Sequence, residues 1–265
     1  MSSLKRLLEA KPDWAQLTNE GADELVFVVT PSGSRKTQLR TFKLKVRSYG
    51  QNRVSVEEQR ADAQLPLCCV ERHINPDATF CLGYNSEAPI ESVEKAEDWW
   101  ASLHSYLNNQ RYAEKFGVWP LASGLSHGSA AIDQLKMEEI AKSLGWLDEV
   151  RTSIFRAKGW LSGALPRLSK DKVTLVNARS PCPRGCRRKH KKHRKLSCET
   201  DECYDGCNRV HQAILRADCP NRTSVEQLVL LEHSRRKAEG KLISDLIQTG
   251  VKCCGTMKNC PLPKG

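Results

Sequence analysis

The sequence predicts an α+β fold: an antiparallel four-stranded meander with flanking helices, followed by a cysteine-rich, mostly helical module. Three observations carry this prediction. Short β-rich runs punctuated by turn residues fill positions 24–71, helical periodicity begins near residue 92, and beyond residue 180 aliphatic residues give way to cysteine and basic residues. A chain of 265 residues can support two cores. The expected division is 1–150 and 151–265, with 151–180 as a connector.

The elements follow in chain order. Leu4, Leu7 and Leu8 recur at helical spacing before Pro12, which predicts a short amphipathic helix. The runs ELVFVVT (24–30) and TQLRTFKLKVR (37–47) and residues 53–56 read as strands, with PSGSRK and SYGQN turning between them. LPLCCVE (65–71) reads as a further, buried strand, in which Cys68 and Cys69 are core residues. Ser92 can cap a helix whose apolar stripe is Val93, Ala96, Trp99, Trp100, Leu103, Tyr106 and Leu107. A second helix is expected over 129–144, with Ile132, Leu135, Ile140 and Leu144 inward and Gly145 at its end. Residues 146–177 read as a connector with a short strand, KVTLVN. The last helix is expected over 224–249, with Thr223 and Glu226 at capping-box spacing and Gly250 as its stop.

Charge and cysteine divide the chain in the same place. Residues 1–150 hold 17 Lys and Arg against 21 Asp and Glu, whereas 151–265 hold 25 against 10. The basic character, and with it any attraction to acidic partners, belongs to the second part. The opening MSSLKRLLEAKPDW has no unbroken apolar run, and no stretch reaches the roughly 18 apolar residues that a membrane span needs. A soluble, cytoplasmic protein without a membrane partner is therefore expected. In a reducing compartment, clustered cysteines are expected to ligate metal rather than form disulfides.

Nine of the twelve cysteines lie beyond residue 180. Cys182 and Cys186 are spaced C-x3-C, Cys198, Cys203 and Cys207 are C-x4-C-x3-C, and Cys219, Cys253, Cys254 and Cys260 follow. Cys203, Cys207 and His211 recur every four residues and so share a helix face. The segment from 181 to 212 has too few aliphatic residues to order itself by apolar burial. Metal ligation is the substitute: Zn2+, as one or two ions, matches a set of soft thiolate ligands, and an iron–sulfur cluster would use the same donors. Between these cysteines runs RGCRRKHKKHRK, with Arg187, Arg188, Lys189, Lys191, Lys192, Arg194 and Lys195 at its centre. Such a run can neutralise phosphates of nucleic acid or dock an acidic protein. It lacks the interleaved aromatic residues that base stacking on single strands requires.

One cysteine stands apart. In ERHINPDATFCLG, Cys81 follows Asn75 by six positions and His73 by eight. A thiol that is exposed and partly ionised can form an acyl intermediate when an adjacent amide donor stabilises the oxyanion. Asn75, on the turn Asn75-Pro76-Asp77, would supply the amide, and His73 would order the turn. A cysteine hydrolase with His104 or His127 as base is an alternative, although the sequence shows no orienting Asp or Asn for either.

The order of these parts resembles the ubiquitin-conjugating enzyme family, which has an N-terminal helix, a four-stranded meander, a His-Pro-Asn motif, an acceptor cysteine followed by leucine, and then helices. Here the corresponding parts are the Leu4–Leu8 segment, the meander, His73-Ile74-Asn75, Cys81-Leu82 and the Trp99-Trp100 helix, over roughly residues 1–145. In form the chain looks like divergent bacterial conjugating-enzyme-like proteins with a cysteine-rich C-terminal region, which occur beside activating-enzyme-like and ubiquitin-like partners in defence islands. Ile74 stands where that family has proline, and the interval from Asn75 to Cys81 is shorter than its usual one.

The resemblance implies that Cys81 accepts the C-terminal glycine of a ubiquitin-like modifier as a thioester and passes it to an amine, with Asn75 stabilising the oxyanion. It also implies an activating-enzyme-like partner, and an acidic residue that assists the incoming lysine; Asp77, Glu87 and Asp98 are candidates. A different class of reading is a non-enzymatic zinc protein that binds nucleic acid through its basic region.

Overall fold

The computed structural model describes residues 2–32, 40–84, 88–176 and 219–264. The chain divides into two compact units, Met1–Ser123 with Ile243–Gly265, and Gly124–Leu242.

The first unit is built on a four-stranded antiparallel sheet in the order β1-β2-β3-β4 (Ala15–Glu20, Glu24–Val29, Phe42–Tyr49, Arg53–Glu58). Alternation fixes which face is buried. Phe42, Leu44 and Val46 of β3 and Val54 and Val56 of β4 turn inward, while their neighbours remain partly or fully exposed. On the outer face Lys45 and Arg47 each reach both Glu24 and Glu57. The Arg47–Glu24 pair is exposed and contributes little, whereas Glu57 is largely covered.

Helix α1 (Ser3–Glu9) is capped by the Ser2 hydroxyl, which accepts from the Lys5 N–H. Helix α2 (Val93–Phe116) is capped by Ser92 and ends where Gly117 adopts φ 68°. Its buried face runs Ala96, Trp99, Trp100, Leu103, Tyr106, Leu107, Gln110, Ala113. That face joins the inward residues of β2–β4 in one core.

Two sequence expectations for this unit change. LPLCCVE is not a strand: Leu67 is 61% exposed, Cys69 forms a single bridge with Ile74, and Val70–Arg72 is a turn of 3-10 helix. Its apolar character reflects core contact by Leu65, Cys69 and Val70 rather than pairing in the sheet. The missing strand is β1, AQLTNE, whose only buried residue is Ala15. An edge strand can be held by backbone pairing alone, so it carries no hydrophobic alternation for a sequence reader to find.

The second unit contains α3 (Ala130–Leu144), α4 (Leu147–Arg156) and most of α5 (Arg222–Gln248). Met137, Ala141, Trp146, Val150, Trp160, Leu161, Val225, Leu228 and Val229 form its core. Helix α3 is rotated from the expected face. Ile132 and Leu135 are 40% and 39% exposed, whereas Ala130, Ala131, Gln134, Met137, Glu138 and Ala141 are buried. Small residues allow close approach there, and the buried polar pair has partners. Where a plain connector was expected the chain forms α4, and the described part of KVTLVN pairs back on residues 167–169 through the bridge Leu168–Leu175 and packs Leu175 against the second core instead of forming a strand. Helix α5 begins at Arg222, so Thr223 lies inside its first turn, and Glu226 pairs with Arg222 at 2.8 Å instead of closing a capping box.

Within α3, Glu138 receives Arg151 Nε at 3.0 Å, Arg151 Nη2 at 2.6 Å and Gln134 Nε2 at 2.7 Å. Burial pushes this carboxyl upward, but the hydrogen bonds from Arg151 and Gln134 outweigh it and hold the group below its ordinary value. A lowered folded pKa stabilises the protein above the unfolded value and is lost as pH falls through the folded one. Glu138→Gln is therefore expected to cost about 1–3 kcal/mol at neutral pH. In parallel denaturant titrations the difference from the native sequence should shrink as pH falls below about 4.5; a pH-independent difference would refute it.

The end of the chain packs on the first unit. Met257 and Leu262 are 8% and 4% exposed, Met257 lies in the core with Trp119, and the Lys258 N–H bonds the Gly117 carbonyl at 2.9 Å. Among the described residues no helix is long and apolar enough to cross a membrane.

Candidate active site

Residues 73–81 fold as a tight hairpin, and this fixes the surroundings of Cys81. The Cys81 N–H donates to the His73 carbonyl at 2.9 Å, Ile74 bridges Phe80, and the Asn75 N–H donates to the Thr79 carbonyl at 2.9 Å. The loop is Pro76-Asp77-Ala78, closed by the Ala78 N–H on the Asn75 carbonyl at 2.9 Å. Proline favours such a turn, and Ala78, at φ 70°, takes the left-handed position that usually falls to glycine. Asp77 offsets that cost by accepting both the Thr79 N–H (3.0 Å) and the Thr79 hydroxyl (2.6 Å).

The hairpin has two faces. Ile74 and Phe80 are buried, and Phe80 stacks on Tyr106 with ring centroids 4.8 Å apart. By alternation Asn75, Thr79 and Cys81 belong to the other face, and all three are half-buried. Asn75 Nδ2 donates to Thr79 Oγ1 at 3.0 Å, which uses one of its two amide protons.

The base of the hairpin is held from below. His73 sits in the left-handed region at φ 54°, a conformation histidine tolerates better than most residues. Its carbonyl accepts the Tyr106 hydroxyl at 3.2 Å, and its ring meets the edge of Trp119 at 4.9 Å. Tyr106 is buried; desolvation pushes its phenol well above the ordinary range, and the nearby Cys81 and Cys69 thiols add to the rise. The hydroxyl therefore acts here as a donor to carbonyls and not as an acid. Arg72 and Gln110 bond reciprocally beside it, Arg72 Nε to Gln110 Oε1 and Gln110 Nε2 to the Arg72 carbonyl, each at 2.7 Å.

The sequence singled out His73, Asn75 and Cys81, and the hairpin brings these three together. It missed Tyr106, Gln110 and Thr79 as their supports. Tyr106 and Gln110 continue the inward stripe of α2, so the available signal was a polar residue on an apolar helix face. Of the acidic candidates, Asp77 is committed to Thr79, Asp98 is exposed beside Lys95 at 3.4 Å, and Glu87 lies outside the described residues. His104 bonds Ser32 Oγ at 3.2 Å and tilts against Trp14, and His127 belongs to the other unit.

Comparison with protein families adds the deciding observation: residues 14–121 match the family described as the prokaryotic E2 domain. Over this segment the chain is similar to that domain, and its antiparallel sheet with flanking helices is consistent with an E2-like fold. Residues 194–262 match a second family, the cysteine-rich domain C-terminal to E2 domain. No curated protein and no solved structure matches the chain. The E2-like domain thus takes in the sheet, the hairpin and α2, with Cys81 inside it. Its cysteine-rich companion is compatible with zinc binding. Of the expected ligands, Cys182, Cys186, Cys198, Cys203, Cys207 and His211 lie outside the described residues, as does the basic run from Arg187 to Lys195. Cys219 is half-buried against the core of the second unit, whereas Cys253, Cys254 and Cys260 lie in the first.

Proposed function

We propose that the chain is a ubiquitin-conjugating-like acyltransferase in which Cys81 carries a ubiquitin-like modifier as a thioester. The Cys81 sulfur attacks the modifier's C-terminal carbonyl, held by an activating-enzyme-like partner, and the new S–C bond replaces the bond to the donor, which leaves with the proton. An amine then attacks the same carbonyl, an amide bond forms, and the Cys81 thiol is released. The amide of Asn75 stabilises the oxyanion at each attack, and His73 holds the hairpin that carries both residues. A bacterial antiviral-defence pathway is the setting that the family resemblance implies.

One observation carries the reading: a half-buried thiol on a hydrogen-bonded hairpin, within a segment matching a prokaryotic E2 domain. Three supports hold that hairpin in place. The Cys81 backbone is tied to His73, His73 to Tyr106, and Asn75 to Thr79. Preorganisation of this kind is what a transition-state donor requires, because the donor then moves little as charge develops.

The test is a trapping experiment on Cys81→Ser. Incubated with the activating-enzyme-like partner, the modifier and ATP, the native chain should form an adduct cleaved by thiols. The serine variant should form an ester that thiols leave intact and mild base cleaves. An adduct of equal thiol sensitivity on the variant would place the acceptor elsewhere. Cleavage of peptides without nucleotide would favour a hydrolase.

A further inference from the structure

The last residues of the chain meet the root of the hairpin at three points. The Cys254 thiol donates to Cys69 Sγ at 2.8 Å, the Thr256 hydroxyl stands 3.5 Å from Arg72 Nη1, and Met257 is buried in the core that holds Trp119. The Lys258 N–H fixes the third point by donating to the Gly117 carbonyl at 2.9 Å, two residues before Trp119. The segment is folded on itself. The Cys253 N–H donates to the Pro263 carbonyl at 2.9 Å, Cys253 bridges Lys264, and Gly255 turns the chain at φ 74°.

Each point leads to a residue that holds the hairpin. Cys69 exchanges both backbone hydrogen bonds with Ile74, each at 3.0 Å, one residue before Asn75. Arg72 is 3% exposed, and its guanidinium donates to Gln110 Oε1 and to the Gln110 carbonyl. Its hydrogen-bond partners among the described residues are all neutral, and a buried cation depends on such contacts. The Trp119 ring meets the His73 ring at 4.9 Å and lies 5.9 Å from that of Tyr106, whose hydroxyl donates to the Arg72 and His73 carbonyls. His73 at φ 54° occupies a backbone conformation that persists only when its surroundings enforce it. Trp119 is part of those surroundings.

We propose that Met257 is a positioning residue for transfer from Cys81. It completes the core around Trp119, Trp119 then braces His73, and His73 holds the hairpin that carries Asn75 and Cys81. The effect on transfer rests on the conjugation reading; the effect on the hairpin does not. The two family matches cover 14–121 and 194–262, so Met257 belongs to the cysteine-rich domain by sequence and to the first unit by packing. The cysteine-rich domain thereby supplies the E2-like domain with part of its active-site support. Methionine suits the place, because its flexible, polarizable side chain fills irregular gaps in a core rich in aromatic rings. The Trp119 indole N–H donates to the Ser123 carbonyl at 3.1 Å, and loss of volume nearby lets the ring shift about that bond and away from His73. A donor displaced in this way is still present but less well aimed at the reacting carbonyl.

The test compares Met257→Ala, Met257→Leu and Leu262→Ala in the full chain. Leu262 lies in the same segment and is 4% exposed, but it is not among the residues of the core that holds Trp119. In Met257→Ala, hydrogen exchange read by mass spectrometry should be about tenfold faster in peptides over 73–82 and native in peptides over β3 and β4. Single-turnover discharge from Cys81 to an amine should fall about five- to tenfold in maximal rate, at an unchanged half-saturating amine concentration. Met257→Leu should restore both, and Leu262→Ala should leave both native. Should Met257→Ala not fold, Met257→Val is read against the same outcomes. Native exchange over 73–82 would overturn the proposal, and so would faster exchange with native discharge. Equal slowing by Leu262→Ala would reduce the effect to general stability and overturn it too. A native chain that takes up no modifier fails the conjugation reading, whereas native exchange over the hairpin fails this one, so the two are told apart.

Discussion

Asn75→Ala is expected to slow discharge of a thioester-linked modifier to an amine by about 10²–10³-fold, or about 2.7–4 kcal/mol of transition-state stabilisation. The charged fraction at equilibrium should not change, since a group that acts on the transition state alters rates and not end points. Asn75 pairs with Thr79 one step inside Ile74–Phe80, so its side chain shares the outer face of the hairpin with Cys81. One amide proton is committed to Thr79 Oγ1, and that bond orients the other. A purely structural role for Asn75 makes a different forecast. The contact with Thr79 would then be the whole of its contribution, and Thr79→Val would slow discharge as much as Asn75→Ala. If Asn75 acts on the oxyanion, Thr79→Val should give an intermediate loss, because the donor remains but is less well aimed. Single-turnover discharge of pre-charged protein separates the two, and a rate for Asn75→Ala within threefold of the native one would dismiss the catalytic role.

The second large effect is on stability. Trp100→Ala should destabilise the first unit by about 3–5 kcal/mol, the cost of emptying a large aromatic site that cannot collapse. Trp100 is 3% exposed, and its ring meets the edges of Trp14, Phe27 and Trp99 at centroid distances of 5.4, 5.1 and 5.0 Å. Its indole N–H also donates to the Leu7 carbonyl at 3.0 Å. A single side chain thus ties α1, the sheet and α2 together. Edge-on aromatic pairs add to area burial, and the lost hydrogen bond leaves a carbonyl of α1 without that partner. Urea unfolding followed by far-UV circular dichroism measures the loss. A change below about 1 kcal/mol would mean that the surrounding rings close over the gap, contrary to the packing described.

The parts of the fold that were legible in the sequence share one property: burial follows a period. Strand β3 and helix α2 could be read because Phe42, Leu44 and Val46, and Ala96, Trp99, Leu103 and Tyr106, repeat at the spacing of their elements. Strand β1 could not, since its pairing depends on backbone groups that every residue carries. Helix α3 misled for the opposite reason. Its largest apolar residues, Ile132 and Leu135, face outward, while Gln134 and Glu138 are buried because Ser126, Arg151 and Gly124 supply partners from outside the helix. No local pattern reveals a polar residue satisfied by a distant one. The candidate site was legible as far as residue types and order allow. Cys81, Asn75 and His73 could be named, but the hairpin register that sets them on one loop, and the Tyr106 hydroxyl beneath it, come from long-range packing.

The first unit is assembled from both ends of the chain, and this bears on the order in which the protein can be made. A ribosome releases the sheet, the hairpin and α2 before it has synthesised the second unit, and only then Met257 and Leu262. At about 5–20 residues per second, the interval between Ser123 and Ile243 is on the order of ten seconds. For that time the core around Trp119 and the Cys69 thiol lack the segment that later covers them. The nascent E2-like domain therefore passes through a stage with an unfinished apolar surface and an uncovered cysteine, when it is most open to chaperones and to oxidants.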